Sequence, residues 1–102
     1  MTQRESRLSQ KIMTALREKG VFCFKVHGSA NMMAGLPDII ACVDGLFVGF
    51  EVKHEETRHD LSPRQVFVHN QILRAKGRAL VVCSPAEAIS VVEGIRAAAK
   101  RR

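Results

Sequence analysis

The order of helix and strand signals predicts an α/β fold, with helices flanking a four-stranded mixed sheet in the order α-β-β-β-α-β-α. An amphipathic pattern opens the chain, a tight-turn signal joins two apolar strands, and a helical segment precedes the last strand. Strands joined by a tight turn pair antiparallel, whereas a strand reached through a helical crossover adds in parallel. The 102 residues are predicted to form a single domain over 1–102.

The first helix is predicted over residues 3–19. Its apolar side chains recur every three to four positions, at Leu8, Ile12, Ala15 and Leu16. Thr2 and Glu5 stand at the spacing of a capping box, in which each side chain accepts a hydrogen bond from the other residue's backbone N–H. Gly20 is expected to end the helix, because glycine readily adopts left-handed backbone angles.

The two later helices begin with the same serine-proline signal. Ser62 is predicted to cap a helix that has Pro63 at its first position and Gln65 at its third, and that runs to about residue 76. Ser84-Pro85 repeats the signal, so the last helix is predicted over about 85–99.

Four apolar segments are predicted to be strands, at residues 21–26, 38–43, 46–53 and 79–83. Asp44-Gly45 is a strong signal for a two-residue hairpin between the second and third strands. The fourth segment is continuously apolar, which predicts a buried position in the sheet. The polar residues 54–62 between the third strand and the second helix are predicted to form a loop.

The net charge of +6 favours an anionic partner, and nucleic acid is the commonest one. Arg4, Arg7 and Lys11 on the first helix are candidate phosphate contacts, although a solvated helix face explains them equally well. The chain has no Trp or Tyr, so base stacking is expected to matter little. Binding should therefore depend on phosphate contacts and nucleic-acid shape, and be sensitive to salt.

The three cysteines, Cys23, Cys42 and Cys83, form no CxxC motif and each lies in an apolar run. We therefore expect all three to be buried and not to act as nucleophiles. Their usage indicates a reducing compartment, so the predicted location is intracellular, in the cytoplasm. No apolar stretch is long enough to span a bilayer, no secretory signal opens the sequence, and no membrane partner is expected.

Asp38, Glu51 and Lys53 are the strongest candidates for chemistry. With the turn at 44–45, residue numbers that pair across the hairpin sum to 89, which sets Asp38 opposite Glu51. Paired residues share a face of the sheet, with Cβ atoms about 4.5–5.5 Å apart. Lys53 lies two positions further along the same strand and therefore points to the same side.

Two opposed carboxylates repel each other unless a cation lies between them. Lys53 supplies part of that charge, but oxygen ligands also suit Mg²⁺ or Mn²⁺. Such a metal would activate a bound water and neutralise a phosphate, while Lys53 orients the water or stabilises developing negative charge. The alternative is an ordinary ion pair at two strand ends.

The pattern resembles the PD-(D/E)xK nuclease superfamily, and within it the small stand-alone VRR-NUC (virus-type replication-repair nuclease) domains. The matching segments are Gly35–Asp38, Glu51–Lys53 and Ser62–Gln65, in the family's order and with similar spacing. The resemblance extends over roughly residues 5–95. It implies a restriction-endonuclease-like αβββαβα core and a viral, phage or cellular protein that acts inside the cell.

The resemblance also implies roles for particular residues. The metal, Mg²⁺ or Mn²⁺, would be held by Asp38, Glu51, the backbone carbonyl of Val52 and Glu5. Lys53 would be the catalytic lysine, and Gln65 would border the site with it. Glu5 and Gln65 also stand where a capping box needs them, so a purely structural role remains the alternative for both.

A polar loop precedes Asp38. Its residues His27 and Ser29, and Lys25 at the end of the first strand, are candidate contacts to the DNA backbone. A solvated strand end and an ordinary polar loop are the alternatives for these residues.

The resemblance implies a Mg²⁺- or Mn²⁺-dependent endonuclease that hydrolyses DNA phosphodiester bonds in replication or repair. Branched DNA such as a four-way (Holliday) junction is the expected substrate. A junction of this kind has two-fold symmetry, which favours a homodimer. Two other interpretations use the same fold: a basic DNA-binding module without catalysis, and an interaction subunit of an oligomer. The interaction subunit leaves the opposed Asp38 and Glu51 unexplained.

Overall fold

A computed structural model describes residues 2–101 and confirms the predicted fold class and element order. A single turn of 3-10 helix at Glu55–Thr57 lies within residues 54–62, which the sequence had predicted to be a loop throughout. The other elements are α1 (Gln3–Glu18), β1 (Phe22–Lys25), β2 (Ile39–Val43), β3 (Leu46–Val52), α2 (Pro63–Arg74), β4 (Arg78–Val82) and α3 (Pro85–Lys100).

Both predicted capping boxes are present. The Thr2 hydroxyl accepts from the Glu5 N–H, and the Glu5 carboxylate accepts from the Thr2 N–H. Ser62 and Gln65 exchange the same pair of bonds at the start of α2. These bonds satisfy N–H groups that have no partner within the helix, which fixes where each helix begins.

The four strands lie in the order β1-β2-β3-β4; the first three are antiparallel, and β4 runs parallel to β3. Asp44 and Gly45 both have positive φ, as a tight hairpin requires. Pairing runs without a break from Val43 with Leu46 to Ile39 with Phe50. The register predicted from the turn is therefore correct.

Two predictions about burial are wrong. The continuously apolar segment at 79–83 was expected to be buried in the sheet, but β4 is an edge strand, and most of its side chains are only half-buried. The cysteines were all expected to be buried, yet Cys42 is exposed, Cys83 is half-buried and only Cys23 is buried. An apolar run shows which residues avoid water, but it does not show whether the strand they form has a neighbour on both sides.

The main core lies between one face of the sheet and two helices, α1 and α3. Buried side chains from α1 and α3 meet the strand residues that point to this face, including Ile39, Phe50 and Val82. Helix α2 covers part of the opposite face, where its Ile72 approaches Gly49 of β3. Glu51 points to the face of the sheet that α2 covers. Helix α2 therefore packs over the site.

Gly49 permits the close approach of the loop that carries Asp38. A Cβ added at Gly49 would lie 2.5 Å from Cγ of Pro37 and 3.0 Å from its Cβ. Real Cβ atoms are not found so close to carbon, so any side chain here would displace Pro37 and the neighbouring Asp38.

None of the helices among residues 2–101 is long and apolar enough to cross a membrane.

Candidate functional site

Asp38 lies immediately before β2, which begins one residue later than predicted. Its backbone carbonyl accepts from the Val26 N–H (2.8 Å), which extends the pairing of β1 with β2. Its carboxylate atom Oδ2 accepts from the Val52 N–H of β3, also at 2.8 Å. Asp38 is thus fixed through both its backbone and its side chain against the end of β3.

Glu51 is 3% exposed, although a carboxylate is normally solvated. Burial, a hydrogen bond with Asp38 and the negative charge of Asp38 raise the pKa of Glu51 to about 9, against the lesser opposing effect of Lys53. Its atom Oε1 is buried without a hydrogen-bond partner. The cross-strand carboxyl pair predicted from the hairpin is therefore present, and at neutral pH it holds a proton.

Lys53 directly follows the last residue of β3, and its backbone N–H donates to the Val82 carbonyl at 3.1 Å. Its side chain is half-buried. The ammonium is close enough for its charge to lower the pKa of Glu51 and of Glu5. The structure therefore brings together the two carboxyl groups and the ammonium that the sequence had placed on one face.

Gln65 caps α2 and also contacts Glu51. Its Oε1 accepts from the Ser62 N–H at 2.9 Å and completes the capping box. Its Nε2 donates to Oε2 of Glu51 at 3.2 Å. A single amide, with an acceptor at one end and a donor at the other, joins the start of α2 to the buried carboxyl group.

Glu5 is held mainly by its capping box, and the hydrogen bond from the Thr2 backbone is the largest cause of its lowered pKa. Its negative charge nevertheless adds to the raised pKa of Glu51. Glu5, Asp38 and Glu51 do not form a group whose ligand oxygens all lie within 4.8 Å of one another. The structure therefore places Glu5 beside the carboxyl pair, as a neighbour.

The six candidate DNA contacts lie in different surroundings. Lys25 is half-buried and its Nζ lies 3.3 Å from the Ser6 hydroxyl, so this lysine joins β1 to α1. Arg4 forms an ion pair with Glu56 at 2.6 Å. The remaining four side chains are exposed: Arg7, Lys11, His27 and Ser29.

A cavity of about 240 Å³ lies against Asp38. It is lined by Val26, which directly follows β1, and by the loop that leads to β2, including Ser29 and Pro37. The lining contains both polar and apolar groups.

His69 is a member of the site that the sequence analysis missed. It is 6% exposed, and its Nε2 lies 3.8 Å from Oε1 of Glu51 without forming a hydrogen bond. Burial lowers the pKa of His69 and outweighs the opposing charge of Asp38, so the ring is neutral and the contact is not an ion pair. Its position four residues after Gln65 was the available signal, because i and i+4 share a helix face.

One trio of potential ligands in residues 2–101 has atoms all within 4.8 Å of one another: Glu55, Cys83 and Glu87. None of them belongs to the predicted site. Arg58 donates hydrogen bonds to both glutamates, and Glu87 also accepts from the Cys83 N–H. Because the Arg58 guanidinium forms ion pairs with both carboxylates, the trio belongs to an ion-pair cluster that ties residues 54–62 to α3.

No known family model and no curated protein matches the sequence of this chain. Comparison of the fold gives two similar solved structures. A VRR_NUC domain has a TM-score of 0.71 and 21% identity, over 90% of this chain and 97% of that one. The Holliday junction resolvase Hjc of Archaeoglobus fulgidus has a TM-score of 0.60 and 22% identity, over 78% of this chain and 67% of that one. The chain thus has the fold of the VRR_NUC domain and of Hjc.

Proposed function

We propose that residues 1–102 act as a single metal-dependent endodeoxyribonuclease domain, which hydrolyses phosphodiester bonds in branched DNA such as four-way junctions during replication or repair. The observation that carries this proposal is the carboxyl pair formed by the half-buried Asp38 and the buried Glu51 beside Lys53. Two such carboxylates repel each other unless a proton or a bound cation offsets their charge. The two structures with the same fold support the proposal, because one is described as a VRR_NUC domain and the other as a Holliday junction resolvase.

The residues present fit a divalent metal. Glu51 presents a buried carboxyl oxygen without a partner, and Asp38 presents a second carboxylate in contact with it. Oxygen donors of this kind are those that Mg²⁺ and Mn²⁺ prefer. We propose Asp38, Glu51 and the Val52 carbonyl as ligands, with Glu5 as a further one. The metal, when bound, lowers the pKa of a coordinated water and neutralises charge on the phosphate.

The protein's own groups orient the reactants. The Val52 N–H fixes Asp38 at 2.8 Å, and the Gln65 amide fixes Glu51 at 3.2 Å, so a hydrogen bond pre-positions each carboxyl group. The Lys53 ammonium lies beside them and stabilises negative charge that develops on the scissile phosphate. The half-buried location of Lys53 strengthens this interaction, because the local dielectric constant is lower than that of water.

DNA is proposed to reach the site along the loop before Asp38. His27 and Ser29 lie on this exposed loop, and Arg7 and Lys11 are exposed on α1. These four side chains are free to contact phosphates. Lys25 and Arg4 are proposed as further contacts, and Arg4 would have to exchange its ion pair with Glu56 for a phosphate.

We also propose that the protein acts as a homodimer, which matches the two-fold symmetry of a four-way junction. An apolar surface lies on the face of the sheet that α2 covers in part, and this surface fits a second copy of the chain. It consists of Phe22, Phe24, Cys42 and Phe47, which share one face because Phe22 pairs with Cys42 and Cys42 with Phe47. Phe22 is 70% exposed, and no charged side chain lies among these four residues to attract DNA.

A cleavage assay tests the proposed function. The protein is incubated with linear, flap and four-way DNA in the presence of Mg²⁺, Mn²⁺ or EDTA. We expect metal-dependent cleavage of branched DNA that is lost in D38A, E51A and K53A. The matched control is E93A, which removes an exposed carboxylate from α3 and should leave cleavage unchanged.

The same assay distinguishes the alternatives. DNA binding that survives in D38A, with no cleavage of any substrate in any metal, would identify a non-catalytic binding module. A chain that neither binds nor cuts DNA would instead act as an interaction subunit.

A further inference from the structure

Two buried polar atoms face each other at the proposed site, and neither has a hydrogen-bond partner. They are Oε1 of Glu51 and Nε2 of His69, which are 3.8 Å apart. Within residues 2–101, the only other buried side-chain nitrogen or oxygen in this condition is Nε2 of His54. Buried polar groups are nearly always paired, so two unpaired atoms in contact indicate an interaction made in another state of the site.

The separation limits how the two atoms interact. It is too long for a direct hydrogen bond, which needs about 2.7–3.2 Å. A side-chain movement of somewhat less than about 1 Å brings the imidazole within bonding distance.

The position of His69 on α2 gives the contact a specific geometry. Gln65 and His69 are four residues apart, so their side chains are one above the other on one helix face. Gln65 already donates to Oε2 of Glu51. His69 faces the other oxygen, Oε1, so the two side chains together reach both oxygens of one carboxyl group.

We propose that His69 is a positioning residue for Glu51 and donates its Nε2–H to Oε1 of that carboxyl group when the site is assembled. With Gln65 on Oε2, this second bond fixes the plane of the carboxylate and leaves one lone pair of each oxygen for a divalent cation. The inference rests on the proposed function, because Glu51 is a metal ligand only under that proposal. The alternative role for His69 is to pack between α2 and the sheet.

Calorimetric titration with Mn²⁺ alone, in the absence of DNA, tests this role. We expect H69L to weaken Mn²⁺ binding by about 10–100-fold, the usual effect of losing a residue that orients a metal ligand. H69Q should bind nearly as well as wild type, because an amide Nε2 can donate from a similar position. H59L is the matched control, because His59 is exposed, and it should leave the affinity unchanged.

Two results would overturn the inference: equal Mn²⁺ affinity in H69L and wild type, or an equal loss in H69Q and H69L. If the wild-type protein binds no Mn²⁺ and cuts no DNA, the proposed function fails. The contact between His69 and Glu51 is then tested separately in the metal-free protein, by the imidazole ¹⁵N resonance of His69. E51A should move this resonance and leave that of His59 in place, and an unmoved His69 resonance contradicts the contact.

Discussion

The carboxyl group of Glu51 experiences opposing effects within a few ångströms. Burial and the adjacent Asp38 favour its protonated form, whereas Lys53 and the Gln65 amide favour the anion. Burial and Asp38 prevail in the metal-free protein, so the folded chain holds a proton at a pH where an unfolded chain has lost it. A divalent cation would change that outcome, because it adds positive charge at the oxygens.

This proton makes the stability of the metal-free protein depend on pH. Below the usual carboxyl pKa of 4.5 both the folded and the unfolded chain carry it, and between 4.5 and about 9 only the folded chain does. Each rise in pH within this window therefore favours unfolding. We expect the free energy of unfolding, measured by urea titration in EDTA, to decline from about pH 5 to pH 9.

The variant E51Q isolates the effect, because an amide has nearly the same shape and no proton to lose. Its unfolding free energy should vary less over this range and exceed that of wild type at pH 8. A decline of equal size in E51Q and wild type would assign the pH dependence to other groups.

At the same scale, the sequence predicted part of the site and missed part. Asp38, Glu51 and Lys53 were identified because a two-residue turn fixes the hairpin register, and register decides which side chains share a face. His69 was missed because its place depends on how α2 rotates over the sheet. That rotation is set by tertiary contacts such as Ile72 against Gly49, which the local pattern does not encode.

Among the secondary-structure elements, those whose ends depend on local chemistry were predicted well. The starts of α1 and α2 follow from side chains that bond to N–H groups three residues away, at Thr2 and at Ser62. The edge position of β4 was not predicted, because it depends on which strand finds no further partner. Helix rules therefore locate the Gln65 amide, and only the assembled sheet shows that it also contacts Glu51.

Strand β3 depends on glycine at one position, and a pair of substitutions tests this. G49A should destabilise the fold by about 1–3 kcal/mol, because its Cβ would overlap Pro37. The displaced loop also carries Asp38, so cleavage should fall in the same variant. Urea titration and the branched-DNA assay measure the two effects.

Gly94 provides the matched control, because a Cβ there meets nothing within 4 Å. It lies inside helix α3, where alanine is favoured over glycine by up to about 1 kcal/mol. G94A should therefore be slightly more stable than wild type with unchanged cleavage. Similar free energies of unfolding for G49A and G94A would show that Pro37 moves aside without destabilising the fold.

For the molecule as a whole, the net charge of +6 and the absence of Trp and Tyr predict binding through phosphates. The affinity for labelled four-way DNA, measured by fluorescence anisotropy in EDTA, should fall linearly with salt on a double-logarithmic plot. R7A and K11A should each reduce the slope by about 0.9, one released counterion per lost contact. An unchanged slope in both variants would remove α1 from the DNA-binding surface.

The apolar surface of Phe22, Phe24, Cys42 and Phe47 predicts the assembly of two copies. Sedimentation velocity of the wild type should show a dimer, and the double variant F22S/F24S should sediment as a monomer. Both phenylalanines are exposed, at 70% and 47%, so the core should tolerate their replacement. F67S, which removes an exposed phenylalanine from α2, is the control and should remain dimeric.

The buried proton on Glu51 also has a consequence for the heat of metal binding. A cation that takes this carboxyl group as a ligand must expel the proton into solution, where the buffer absorbs it. The measured enthalpy would then change with the ionisation enthalpy of the buffer, and an unbuffered sample would become acidic as the metal is added. Magnesium and hydrogen ions would compete for one group, so the acidity of the compartment would set how much metal the protein needs.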